Sequence, residues 1–208
     1  MVPEVSMRIS ILNYDACNLA SVYNSFYRLG VDIKIIEKAN EIKSSDKIII
    51  PGVGSAKHAI DYLTKKELLE PLKKFISSGK PILGICLGFQ LFAKKLFENG
   101  ESNGLGFIKG KVISFPDRKK FHIGWNKVNF NHNKFKVLKL KNNSYFYFCH
   151  SYYMKLDTTD KLCIGNTIFT NEFPSIIIRD NFIGTQFHPE KSQLNGQKFL
   201  ESFLEWKI

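Results

Sequence analysis

Gly84-Ile85-Cys86-Leu87-Gly88-Phe89-Gln90 follows the apolar run Pro81-Ile82-Leu83 and precedes Leu91, Phe92 and Leu96, which have helical spacing. The order is strand, glycine-flanked cysteine, helix: a Gly-x-nucleophile-x-Gly elbow. Two glycines permit a strand-to-helix turn too sharp for a Cβ, and the turn sets the sulfur out at the carboxyl edge of a sheet. The helix start beside it favours a thiolate and offers backbone N–H groups to an oxyanion. A cysteine merely packed at the end of a core strand would not need those glycines.

A cysteine nucleophile needs a base, and the base needs an orienter. The chain has five histidines: His58, His122, His132, His150 and His188. His188 stands in Gly184-Thr185-Gln186-Phe187-His188-Pro189-Glu190, behind Ile176-Ile177-Ile178, the turn residues Arg179-Asp180-Asn181, and Phe182-Ile183. In extended backbone, residues i and i+2 point the same way. The expectation is that His188 and Glu190 sit together, with Pro189 stiffening the link. A third signature, Lys47-Ile48-Ile49-Ile50-Pro51-Gly52-Val53-Gly54, runs a β-branched strand into a Pro-Gly turn. Such a loop can bring backbone N–H groups close to a substrate. It is not a phosphate loop, since it lacks both a dinucleotide fingerprint and a G-K-[ST] sequence.

The elbow followed late by Gln186-Phe187-His188-Pro189-Glu190 resembles the triad glutaminase domain of class I glutamine amidotransferases. The resemblance implies that Cys86 attacks the side-chain amide of glutamine, that His188 moves the proton and that Glu190 orients His188. It also implies an oxyanion hole at Val53 and Leu87. Further segments narrow the likeness: Asp15-Ala16-Cys17-Asn18-Leu19-Ala20-Ser21-Val22, His122-Ile123-Gly124-Trp125-Asn126, Tyr145 to Tyr153, and Pro189-Glu190-Lys191-Ser192. From Met7 to the C-terminus the chain is similar to the glutaminase subunit of imidazole glycerol phosphate synthase. By that likeness Gly52, Gln90, His150, Ser151 and Tyr152 bind glutamine. Asn18, Trp125, Tyr145, Tyr147 and Lys191 face a partner, a (β/α)8-barrel cyclase in a heterodimer. No metal or cofactor is implied.

Two departures bear on the partner. The family pattern Asn-Leu-Arg-Ser-Val reads Asn18-Leu19-Ala20-Ser21-Val22 here, removing a multidentate charge, and Cys17 stands where glycine is common. Neither touches the triad. Two alternatives stay open: a similar glutaminase feeding ammonia to amidino-sugar synthesis, and a catalytically silent binding or regulatory homologue.

With 208 residues and 44% hydrophobic content the chain can bury a sizeable core. No apolar run reaches the ~18 residues of a membrane helix. Residues 1–6 lack the layout of a signal peptide and read as an extension before a domain spanning 7–208. The four cysteines (Cys17, Cys86, Cys149, Cys163) show no C-x-x-C spacing. A working thiolate implies a reducing compartment, hence the cytoplasm. The net charge of +11 concentrates in Lys109, Lys111, Arg118, Lys119, Lys120, Lys127, Lys134, Lys136, Lys139 and Lys141, opposed by Asp117. No helix-turn-helix or RNA-recognition signature accompanies it, so it reads as a solvated face rather than a nucleic-acid surface. Attraction to an acidic partner or phosphorylated substrate is a second use for such charge.

The expected order is α/β. Strands are expected at Arg8–Tyr14, Val31–Ile36, Lys47–Ile50 and Pro81–Ile85. Helices are expected from Leu19 toward Gly30, over Glu67–Ser78, after the elbow, and through Leu194, Phe199, Leu200, Phe203 and Leu204 at the end. Short β runs dominate from Gly110 onward. The resemblance implies a flavodoxin-like amidotransferase fold: a central, mostly parallel sheet flanked by helices, with added antiparallel strands. Ligands then sit at the carboxyl ends of strands, where the Pro51-Gly52 loop and the elbow meet.

Overall fold

A computed structural model describes residues 7–15, 18–116, 121–130, 135–158 and 162–208. The proposed extension 1–6, Cys17, His132 and the basic residues Arg118, Lys119, Lys120 and Lys134 lie outside them, as does the side chain of Lys136.

In chain order the elements are β1 (Ile9–Leu12), α1 (Leu19–Tyr27), β2 (Lys34–Ile36), α2 (Ala39–Ser44), β3 (Lys47–Ile50), α3 (Ala56–Lys65), α4 (Leu69–Ser77) and β4 (Ile82–Ile85). The elbow helix α5 (Leu87–Gln90) leads into β5 (Ala93–Leu96), β6 (Ser102–Asn103) and β7 (Ile108–Ser114). Then come β8 (His122–Val128), β9 (Ser144–His150), β10 (Tyr152–Leu156), β11 (Cys163–Ile168), β12 (Glu172–Arg179), β13 (Phe182–Thr185) and α6 (Gln193–Glu205).

The main sheet runs β11-β12-β13-β4-β3-β1-β2. The four pairings from β13 to β2 are parallel, and β11 and β12 add antiparallel pairs at one edge. Its central strands are buried throughout, as parallel strands covered on both faces must be. Alternation then sorts their side chains. Ile48, Ile50 and Ile82 join a core with Ile42 of α2, Leu63 of α3 and Leu72 of α4. Ile49, Leu83 and Ile85 join one with Phe26 of α1, Phe148 of β9 and Phe199 of α6. A side sheet, β10-β7-β5-β6, and a ribbon, β8-β9, complete the molecule.

Three expectations are corrected. The elbow helix ends at Gln90, and Ala93–Leu96 is strand, not helix. Leu91, Phe92 and Ala93 are all fully buried, leaving no polar face for a helix. Their carbonyls accept instead from Leu105, Ile108 and Gly106, so tertiary pairing overrides the local spacing. The helix expected from Glu67 starts at Leu69, because Glu67 has φ +55 and closes the turn after α3. Leu194, expected on the buried face of the last helix, is 73% exposed. Helices α2 and α3 escaped the sequence reading, although Ala56, Ala59 and Leu63 of α3 carry the i, i+3, i+7 spacing of a buried stripe.

Candidate active site

Cys86 has φ +51 and ψ −104, a strained backbone for a residue with a Cβ. The strain is held from both sides. Its N–H donates to the Thr185 carbonyl at 2.7 Å, binding the elbow to β13. Behind it, a Cβ on Gly88 would stand 1.8 Å from the Ile50 carbonyl, so only glycine lets α5 lie this close to β3. The sulfur is thus delivered where β4 gives way to α5.

β13 delivers the base. His188 N–H donates to the Tyr147 carbonyl at 2.9 Å, and Ser192 Oγ donates to the His188 carbonyl at 2.6 Å. Pro189–Lys191 form a 3-10 turn, not the extended link expected. The turn still joins the pair: His188 Nδ1 lies 2.7 Å from Glu190 Oε1, with both side chains 2% exposed. Burial alone would push the imidazole down. The nearby charge of Cys86, followed by the hydrogen bond and charge of Glu190, outweighs it and holds His188 protonated well above the usual histidine range. Its Nε2 is buried without a well-formed hydrogen bond, a loose arrangement common before substrate arrives. Cys86, His188 and Glu190 are therefore brought together as a cysteine nucleophile, a cationic imidazole and a carboxylate.

A cleft of about 260 Å³ opens on the sulfur, lined by Val53, Gly54, Cys86, Leu87, Gln90, Glu98, Cys149, His150, Ser151 and Tyr152. Six of the expected binding or oxyanion residues (Val53, Leu87, Gln90, His150, Ser151, Tyr152) line it. Gly52 does not: its carbonyl accepts the Leu87 N–H at 3.4 Å from behind the wall. His150 lines the cleft, but Nδ1 meets the Tyr152 carbonyl at 2.8 Å and Nε2 meets His122 Nδ1 at 3.0 Å. Its ring has no nitrogen left for a ligand.

Gln186 was missed as a site residue although it stands in the quoted motif. Its Nε2 donates to Cys86 Sγ at 3.6 Å, and its Oε1 accepts from Gln90 Nε2 at 3.0 Å. The signal was a polar residue in an apolar strand end, since a buried amide must be satisfied. Tyr14 was also missed. Its Oη donates to the Pro51 carbonyl and would meet a Cβ on Gly52 at 2.3 Å, so it braces the Pro51-Gly52 loop.

Outside the cleft, Trp125 and Tyr145 are each 47% exposed. Trp125 packs edge-on against Tyr147, and the ammonium of Lys191 lies 5.9 Å above the Tyr147 ring. Leu194 joins Trp125 and Tyr145 in lining a shallow groove. Asn18 caps α1, accepting from Ser21 N–H, and α1 packs against the turn that carries Lys191.

The class-I glutamine amidotransferase family model matches residues 10–206. The chain belongs to the class-I glutamine amidotransferase family. It is an amidotransferase of the triad kind, as the elbow suggested. It is 42% identical to imidazole glycerol phosphate synthase subunit HisH of Sulfurimonas denitrificans, over 96% of this chain and 98% of the relative. It is 41% identical to the subunit of that name from Methanocaldococcus jannaschii, over 95% and 98%. Among solved structures it superposes on PurLQS from Thermotoga maritima with a TM-score of 0.75 over 96% of this chain and 98% of that one, at 20% identity. That last likeness concerns the fold alone.

Proposed function

We propose that this amidotransferase is the glutaminase subunit of an imidazole glycerol phosphate synthase and supplies ammonia for histidine biosynthesis. The observation that carries it is the cleft, which presents the Cys86 sulfur beside a buried His188–Glu190 pair. The Cys86 thiolate adds to the side-chain amide carbon of glutamine. His188 gives its proton to the departing nitrogen, releasing ammonia and leaving a glutamyl thioester. Water, deprotonated by His188, then attacks the thioester carbonyl, giving glutamate and expelling the Cys86 thiolate beside the re-protonated His188. Glu190 holds the imidazole and stabilises its cation in both halves. Gln90, Ser151 and Tyr152 form the glutamine end of the cleft, His150 contributes to its wall with both ring nitrogens engaged, and Gly52 acts behind it.

Ammonia made in water is lost, so the reading includes a second subunit. The exposed Trp125 and Tyr145 and the half-buried Tyr147, with Lys191 and Asn18, have the composition of a docking surface. A cyclase with a (β/α)8 barrel docks there and converts a phosphoribulosyl-formimino carboxamide nucleotide to imidazole glycerol phosphate and aminoimidazole carboxamide ribotide. The setting is cytoplasmic. In the free subunit the Leu87 N–H, one oxyanion donor, is occupied by the Gly52 carbonyl. Basal activity is accordingly weak until the partner, loaded with nucleotide, moves that loop.

The test is glutamate release by the purified chain mixed with a histidine-pathway cyclase, with and without its nucleotide. Strong nucleotide-dependent stimulation is expected. Release without stimulation would send the ammonia to another acceptor, with Ala20 as the first residue to restore to arginine.

A further inference from the structure

Two histidines outside the triad lie under the β8–β9 ribbon, paired directly across it. His122 is 3% exposed and stacks between Phe148 and Phe169, at 4.6 and 4.4 Å between ring centres. His150 packs against Phe115 and Phe173.

The hydrogen bonds around the pair fix where its protons are. At one end the Tyr152 carbonyl can only accept, so His150 Nδ1 carries a hydrogen. Neutral His150 then accepts at Nε2, and His122 must donate from Nδ1 across their 3.0 Å contact. That leaves His122 Nε2 as an acceptor for Asn126 Nδ2 at 3.1 Å. The other end gives the same answer independently. Asn126 Nδ2 also donates to the Ile168 carbonyl at 2.9 Å and its Oδ1 accepts the Lys127 N–H at 2.8 Å, so the amide orientation is settled. Protonating either ring would set two donors head to head. Burial pushes His122 down to about 4 and His150 to about 3. The titratable groups acting on His150 are His122 and His188, both histidines.

The chain continues to the nucleophile. The Tyr152 carbonyl that holds His150 also accepts from Gln90 Nε2 at 2.8 Å. Gln90 Nε2 donates to Gln186 Oε1 as well, and Gln186 Nε2 reaches the sulfur. We propose that His122 is a positioning residue for the glutaminase site: its Nδ1–H holds His150 in the one neutral tautomer that fixes the Tyr152 carbonyl, and with it Gln90 and Gln186 against Cys86. This rests on the glutaminase reading for its kinetic consequence, but not for the proton arrangement.

The experiment uses the full chain with the cyclase, in wild-type form and as His122→Phe and His122→Asn. Phe keeps the stacking and removes the donor. Asn keeps an N–H near the position of Nδ1. Long-range ¹H–¹⁵N spectra of the wild type are expected to show both histidines as neutral Nδ1–H tautomers from pH 5.5 to 8, the window argued from their lowered ionisation. His122→Phe is expected to raise KM for glutamine about 10-fold with a much smaller change in kcat, and His122→Asn to restore KM to within about 2-fold. An Nε2–H tautomer on either ring overturns the proposal. So does a His122→Phe enzyme that loses only active fraction, counted by thiol titration, while KM stays put, since that is a structural role. If wild type released no glutamate, the glutaminase reading would fail while the spectra still judged the pairing.

Discussion

On the proposed reading, Cys86 is the residue on which the chemistry turns. A Cys86→Ala chain should fold and dock, because the elbow is held by Gly88 against Ile50 and by the Cys86 backbone N–H, none of which needs sulfur. It should release no glutamate, while the complex still turns over with added ammonium. Coupled assays with glutamine and with ammonium separate the two. Glu190→Gln is a subtler lesion. It removes the carboxylate that helps keep His188 cationic at 2.7 Å. His188 should then lose its proton at a lower pH, and kcat should fall by about 10²- to 10⁴-fold. A pH–rate profile with unchanged limbs would refute this. At this scale the meeting of Cys86, His188 and Glu190 was legible, because two glycines around a cysteine and a His-Pro-Glu have few other uses. Gln186 and His122 were not. Their roles depend on partners 100 and 28 positions away in the chain, which no local pattern marks.

The elements show where glycine is obligatory. Gly88→Ala would drive a Cβ into the Ile50 carbonyl and separate α5 from β3. A loss of about 3 kcal/mol or more is expected. Gly54→Ala meets nothing within 4 Å but must take φ +104, so its cost of about 1–3 kcal/mol is backbone strain in the cleft loop. Denaturant titrations of the two variants should rank them in that order. Another tie joins a central strand of the main sheet to the C-terminal segment. Lys47 of β3 donates from Nζ to the carbonyls of Phe203, Leu204 and Trp206 at 2.9, 2.6 and 2.7 Å, closing the C-terminus of α6. Burial lowers its ammonium to about 8. Lys47→Met should cost about 1–3 kcal/mol by orphaning those carbonyls, visible as a lowered Tm. The β-branched runs announced β3 and the hairpin into β13, since such residues suit buried strands. β5 was hidden because its helical spacing is answered by carbonyl partners between Leu105 and Ile108.

For the whole molecule, buried histidines of opposite sign set the response to pH. His122 and His150 stay neutral down to about 4 and 3, whereas an unfolded histidine protonates near 6.5. Below 6.5 the unfolded chain therefore binds more protons, and stability should fall by about 1.4 kcal/mol per pH unit for each group as pH drops toward 4. His188 is raised instead. Its contribution is fully present below 6.5 and is lost as pH climbs through its folded value. Denaturation midpoints at pH 5, 7 and 9 should peak at the middle, and a flat line from 5 to 7 would contradict the assignment. The described lysines of the basic run (Lys109, Lys111, Lys127, Lys139 and Lys141) are all exposed, and Lys139 pairs with Glu205. The chain carries two tryptophans, Trp125 and Trp206, which are 47% and 8% exposed. Emission from the first should be red and quenchable by iodide, and that from the second blue and shielded. A partner that covers the ribbon would change only the red component. The protein therefore carries its own optical gauge of assembly, and a Trp206→Phe chain would read it against a dark background.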